Sequence, residues 1–241
     1  MEVKVYQNKG RVAEEFSRFL IEKSSNKNAF HIALSGGSTP KIVFDVLVEE
    51  FSNDVNWSAI HLYWGDERCV APDDDESNYR MTVEHLISKV DIPEENIHRI
   101  KGENDPKLEA KRYGELLEAE LPKELSLPQF DMVILGMGDD GHTASIFPHE
   151  LNLWKSPDNC EVAIHPESGQ RRVSLTGRII NNAKTVAFLV TGESKAEKVR
   201  IILDREEGYL KYPASHVSPK TKDLIWFLDA AAAEQITSNQ S

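Results

Sequence analysis

The feature that most constrains the fold is a rhythm that runs the length of the chain. Short apolar runs of strand length alternate with longer segments whose apolar residues recur at helical spacing. Residues 3–6, 30–34, 60–64, 97–100, 131–135, 162–164, 173–175, 185–190 and 224–228 read as strands. Residues 12–23, 40–51, 106–121 and 194–203 read as helices, 78–90 as mostly helix, and a short Ala-rich helix follows the last strand. In the first helix Val12, Phe16, Phe19 and Leu20 share one side, with charges between them. Strands that take turns with helices build a mostly parallel sheet, because each parallel pair needs a crossover whose apolar stripe must be buried on a sheet face. The expected fold class is α/β: a Rossmann-like, mostly parallel sheet with helices on both faces, formed by residues 1–241 as one domain. Only loose stretches at 72–77 and 148–159 and a polar tail from Thr237 depart from the rhythm.

Composition narrows the function classes. At 241 residues the chain can bury a core without disulfide or metal staples. Its two cysteines, Cys69 and Cys160, lack the clustering of a disulfide framework or zinc site and are expected to be free thiols. No stretch approaches the roughly 18 uninterrupted apolar residues of a membrane span. The N-terminus opens on strand-like alternation rather than on a secretory leader, so a cytoplasmic home is expected, and Asn56-Trp57-Ser58 matches the glycosylation pattern by chance. A formal net charge of −12 repels nucleic acid and anionic membrane. The same field opposes an anionic substrate. Any phosphate site must therefore be local, built from backbone N–H groups and a few placed Arg or Lys side chains.

In open parallel sheets ligands bind beyond the C-terminal ends of the strands, so the residues after each strand carry the functional information. After residue 34 comes Ser35-Gly36-Gly37-Ser38-Thr39-Pro40. Two glycines let backbone approach a ligand, Ser38 or Thr39 can cap the helix, and Pro40 suits its first turn. The free N–H groups of a helix start are a ready anion site, although a plain capped turn explains the same residues, and the Walker pattern is absent. After residue 64, Gly65-Asp66-Glu67-Arg68 places three charges where burial demands partners. Arg68 could steady an oxyanion and Asp66 could orient it or a histidine; a solvated loop with an internal ion pair is the plainer reading of this motif alone.

The strongest strand leads into Gly136-Met137-Gly138-Asp139-Asp140-Gly141-His142. Three glycines around two aspartates force a tight path that delivers His142 to the strand's C-terminal end, near the start of a helix. Histidine titrates closest to neutrality, which suits proton transfer. The glycine offsets do not fit a dinucleotide fingerprint. Arg172 and Lys195 also follow or open strands and could reach a phosphate, though each read singly is a surface charge. The Asp73–Glu76 run lacks the Gly and terminal Glu of a calcium loop and reads as a solvated acidic loop. His216 reads as structural or rim.

Taken in order, SGGSTP (35–40), WGDERCV (64–70), SNYRM (77–81), DMVILGMGDDGHTASIFP (131–148), RVSLT (172–176), VTGESK (190–195) and PAS (213–215) resemble the motifs of 6-phosphogluconolactonases over nearly the whole chain. The resemblance implies the fold shared with glucosamine-6-phosphate deaminase and ribose-5-phosphate isomerase. It implies a metal-independent, cofactor-free hydrolase of the oxidative pentose phosphate pathway, acting on a sugar-phosphate lactone; a monomer or weak homo-oligomer is expected, with no nucleic-acid or membrane partner. Carried over by motif, His142 resembles the catalytic base, Asp140 the Asp of the family's D-G-H, and Arg68 the residue that steadies developing charge. Gly36, Gly37, Ser38, Thr39, Asp66, Arg172 and Lys195 look like substrate and phosphate contacts. Asp139 and His216 depart from the commoner pattern and receive no role. The G-x-S-x-G elbow of serine hydrolases is absent, since Ala33 occupies its first glycine position. Two rivals remain. A deaminase or isomerase on the same fold usually continues its D-G-H loop toward Asn-Glu-Pro, whereas here it runs Thr143-Ala144-Ser145-Ile146-Phe147-Pro148. A sugar-phosphate sensor would need a partner domain, and no helix-turn-helix pattern is present.

Overall fold

The computed structural model describes residues 1–237; the polar tail beyond Thr237 lies outside them. In chain order the elements are β1 (Glu2–Tyr6), α1 (Lys9–Ser24), β2 (Phe30–Leu34), α2 (Ser38–Phe51), β3 (Ile60–Trp64), β4 (Asp66–Arg68), α3 (Asn78–His85), β5 (Ile97–His98) and α4 (Pro106–Glu120). There follow β6 (Lys123–Glu124), β7 (Leu127–Pro128), β8 (Met132–Leu135), β9 (Cys160–Ile164), β10 (Arg171–Leu175), α5 (Gly177–Ile180), β11 (Thr185–Val190), α6 (Ala196–Leu203), β12 (Leu224–Asp229) and α7 (Ala230–Ala233).

Seven strands form one sheet in the order β1-β12-β11-β8-β2-β3-β5, and every pairing within it is parallel. The inner strands β8 and β11, buried on both faces, need no polar alternation, which is why 132–135 and 185–190 read as nearly continuous apolar runs. Phe227 meets Phe16 and Phe19 of α1 on one face, while its neighbour Trp226 stacks on Phe188, with ring centroids 3.9 Å apart, on the other. Helix α1 starts on Asn8, whose side chain accepts from the Arg11 N–H, and α4 starts on Asp105, which accepts from Lys107 and Leu108.

The winding of the sheet decides where a ligand can sit. From β2 the chain builds outward through β3 to β5, then returns to the other side of β2 as β8 and builds away through β11 and β12. Adjacent strands β2 and β8 therefore send their following loops in opposite directions, opening a crevice between their C-terminal ends. Over this crevice lies a second, antiparallel sheet, β4-β10-β9. Gly65 joins the two layers: its N–H donates to Leu34 of β2 and its carbonyl accepts from Leu175 of β10, both at 2.8 Å.

Three local expectations are corrected. Residues 66–68 are a strand rather than a solvated loop, and no internal ion pair forms: the Glu67 carboxylate, 2% exposed, instead accepts from the N–H groups of Arg68, Asn78 and Tyr79 and from the Ser77 hydroxyl. No helix follows His142. A tight turn with a Thr143–Ile146 bridge does, then a 3₁₀ stretch from Pro148. Neither Ser38 nor Thr39 caps α2, which begins on Gly37 at φ +109° with no side-chain cap. The stretch expected to be mostly helix at 78–90 is so: α3 is followed by a separate 3₁₀ turn, Ile87–Lys89. Both cysteines are free.

Candidate active site

The crevice contains an open-mouthed pocket of about 180 Å³ lined by Ser35, Gly36 and Gly37 from the β2–α2 turn, Gly136, Met137, Gly138, His142 and Ala144 from the loop after β8, Asp66 and Arg68 from β4, Arg172 from β10, and Asn78 from α3. The imidazole at position 142 thus shares one cavity with the start of α2.

The loop after β8 is tied to itself. Gly138 donates to the His142 carbonyl, Gly141 donates to the Gly138 carbonyl, and the Thr143 hydroxyl donates to the Gly136 carbonyl. Asp140 Oδ1 accepts the His142 backbone N–H at 3.0 Å and lies 2.6 Å from its Nδ1. Gly138 has to be glycine at this point, because a Cβ there would lie 2.2 Å from the imidazole. Burial pushes the Asp140 carboxyl up, but the hydrogen bond and charge of His142, with backbone N–H groups, outweigh it and hold it at about 2. An ionised carboxylate at Nδ1 requires the proton there, which leaves Nε2 as the acceptor. The ring is a quarter exposed and packs 4.7 Å from the Phe147 ring.

Opposite it stand two cations. Arg68 and Arg172 are directly paired across β4 and β10, a register in which like charges repel. Neither meets a carboxylate within ion-pair distance among the described residues. Arg68 donates to the Glu76 carbonyl while its buried Nε has no partner, and Arg172 lies 5.6 Å over Phe147 and donates to Gln170. Burial lowers the Arg172 pKa, so this corner favours an added anion. Asp66, 6% exposed, accepts the Ser145 hydroxyl at 2.6 Å rather than orienting Arg68 or a histidine.

Three expected contacts stand off the pocket wall. Thr39 Oγ1 is 2.8 Å from Thr191 Oγ1, Ser38 opens α2, and Lys195 pairs with Asp139 at 2.6 Å. Asp140 lies behind His142 rather than on the wall. His216 is remote, its Nε2 2.7 Å from the Leu210 carbonyl and its ring beside Trp154. In the acidic loop Asp75 pairs with Arg80 and Glu76 accepts from Gln170; no cluster suited to a metal ion occurs among the described residues. Sequence reasoning missed Asn78, whose amide donates to the Asp66 carbonyl and presses so closely on Gly36 that a Cβ there would lie 1.9 Å from it. The available signal was the Ser77-Asn78 start of the SNYRM motif, with Ser77 placed to cap the helix that Asn78 opens.

A doubly wound α/β fold with a carboxylate-held histidine facing two arginines and a helix start defines a protein that can move a proton beside an anionic substrate. The profile of the family described as glucosamine-6-phosphate isomerases/6-phosphogluconolactonase matches residues 7–226. A protein named 6-phosphogluconolactonase from Haemophilus influenzae is 44% identical over 223 residues, covering 92% of each chain. A solved structure titled devB protein superposes with a TM-score of 0.92 at 42% identity, covering 98% of this chain and 99% of that one. A 6-phosphogluconolactonase structure from Trypanosoma brucei gives 0.84 at 28% identity over 98% of each. This chain belongs to the glucosamine-6-phosphate isomerase/6-phosphogluconolactonase family. No helix among the described residues is long and apolar enough to cross a membrane.

Proposed function

We propose that this chain hydrolyses 6-phospho-D-glucono-1,5-lactone to 6-phospho-D-gluconate, the lactone-opening step of the oxidative pentose phosphate pathway, with His142 as general base. The relatives bearing that activity's name, at 44% identity over most of the chain, support the reaction. The observation that carries the mechanism is the Asp140–His142 pair, which leaves an acceptor nitrogen in a pocket shared with two unpaired arginines.

Nε2 of His142 takes a proton from water as its oxygen attacks the lactone carbonyl. Arg68 and backbone N–H groups around Gly36 and Gly37 hold the resulting oxyanion. As the carbon–oxygen bond breaks, the imidazolium returns the proton to the departing ring oxygen. Asp140 holds the tautomer and offsets the transient positive charge. The N–H groups of Ser38 and Thr39, together with Arg172 and Lys195, receive the phosphate, and Asp66 offers its second oxygen to a sugar hydroxyl. No covalent intermediate or resident metal is needed for so reactive an ester. The chain works as one α/β domain in the cytoplasm, as a monomer or weak homo-oligomer.

The test supplies lactone from glucose 6-phosphate and its dehydrogenase and follows lactone loss with and without the protein. Loss at the spontaneous rate overturns the proposal. Ammonia release from glucosamine 6-phosphate would assign the deaminase reaction instead.

A further inference from the structure

Lys195, proposed above to meet the substrate phosphate, is already occupied. Its ammonium lies 2.6 Å from Asp139 Oδ1, and the same oxygen accepts the Ser194 hydroxyl at 3.1 Å. The two partners are unequal. Lys195's side chain is 20% exposed, whereas that of Asp139 is 74% exposed, so the carboxylate can leave toward water while the lysine stays.

The surroundings are built to accept an anion from outside. Gly37, at φ +109°, and Gly192, at φ +99°, each have open space where a Cβ would stand. The hydroxyl contact between Thr39 and Thr191 fastens the start of α2 to the loop that carries Gly192 and Lys195. That start lacks any side-chain cap, so its first N–H groups remain donors without an acceptor from the chain.

We infer that Asp139 is a built-in competitor: its carboxylate holds Lys195 in the free protein, and the substrate's phosphate displaces it to bind. This rests on the reading of Lys195 as a phosphate contact. Asp139 directly precedes Asp140, so the exchange also frees the loop that carries His142 from its tie to residues 194 and 195. Asp139 is then a positioning residue that sets affinity for the anion rather than a group that reacts.

The expected sizes follow from the exchange. Breaking an exposed carboxylate–ammonium pair costs about 1.5- to 5-fold in equilibrium constant, and losing a charge-assisted contact to phosphate costs about tenfold or more. Titration of the full chain with 6-phosphogluconate by calorimetry, at constant ionic strength, reads both. Asp139→Asn should bind the product about 1.5- to 5-fold more tightly, Asp139→Glu should bind like the parent, and Lys195→Met should bind about tenfold or more weakly. In the Lys195→Met background, Asp139→Asn should change nothing. If Asp139→Asn binds equally or less tightly while Lys195→Met is weakened, the competition is wrong and the lysine's role stands. If Lys195→Met binds like the parent, the phosphate lies elsewhere and both ideas fall. Unfolding midpoints close to the parent's accompany the expected result, since Asp139 is largely exposed and Met keeps the apolar stem of the mostly covered Lys195.

Discussion

Replacing Asp140 by Asn probes the proposed chemistry more sharply than removing the histidine. Asp140 Oδ1 lies 2.6 Å from Nδ1 and also accepts the His142 N–H. A carboxylate in that place can only accept, so Nδ1 must donate and Nε2 must accept. An Asn amide can turn its NH2 toward Nδ1 and stabilise the opposite tautomer, in which Nε2 carries the proton and cannot take one from water. That turn gives up the His142 backbone N–H as a donor to the same oxygen, a loss of about 1 kcal/mol of stability, while the ring keeps its packing on Phe147, so the larger loss falls on turnover. A positioned general base contributes about 10²–10⁴-fold, and wrong-tautomer substitutions in comparable carboxylate–histidine pairs cost up to about 10⁴-fold. The expectation here is a fall in kcat of about 10²–10⁴-fold, with the product's dissociation constant changed less than about threefold. His142→Ala should fall as far, and the double variant no further, because residues acting as one unit do not add. Lactone loss is followed by the dehydrogenase-coupled assay with the spontaneous rate subtracted. An Asp140→Asn variant retaining more than half the parental turnover, or a double variant falling by the product of the two single losses, would refute the paired mechanism.

Gly138→Ala puts a methyl 2.2 Å from the His142 ring and 2.8 Å from Asp140 Oδ1. The ring can swing away, so stability should fall by only about 1 kcal/mol while kcat falls about 10²-fold or more; equal kcat in the assay above would contradict this. Glu67→Gln replaces an acceptor of four donors with a group that presents N–H to some of them, at a cost of about 1–3 kcal/mol in urea unfolding; an unchanged midpoint would show that the carboxylate does not hold α3. A third expectation concerns pH. His31, His61 and His98 stack in a row on β2, β3 and β5, and burial, chiefly, holds His31 and His98 at about 4, below the ordinary 6.5. The unfolded chain therefore binds more protons between those values, so stability is full above pH 6.5 and falls as pH drops toward 4. His98→Phe, which removes a buried Nε2 without a partner, should flatten that fall, and equal slopes in parent and variant would argue against it.

The strands were legible because a strand buried on both faces declares itself as a short, mainly apolar run bounded by turn residues. The runs at 30–34, 60–64 and 185–190 match β2, β3 and β11 to the residue. Strand β4 escaped notice for the converse reason. Asp66, Glu67 and Arg68 look solvated until their partners are known, and those partners lie on α3 and β10 and in the loop after β8, brought together by folding. Asn78 was missed for the same reason. The helix expected after His142 failed because the loop after β8 spends its backbone groups on itself and on Ser174, leaving none in a helical ladder.

By itself the sequence determined the element order, the parallel class of the sheet and the identity of the loop most suited to proton transfer. These depend on patterns within a few residues: apolar periodicity, glycine placement and the chemistry of an imidazole beside a carboxylate two positions away. Tertiary structure alone decided that β2 and β8 are neighbours at the switch point, that two arginines stand opposite each other without carboxylate partners, and that Lys195 is held by Asp139. Each of those is a contact between segments separated by tens to over a hundred residues, and its energy depends on which groups burial leaves without an alternative partner. Local pattern carries no record of that.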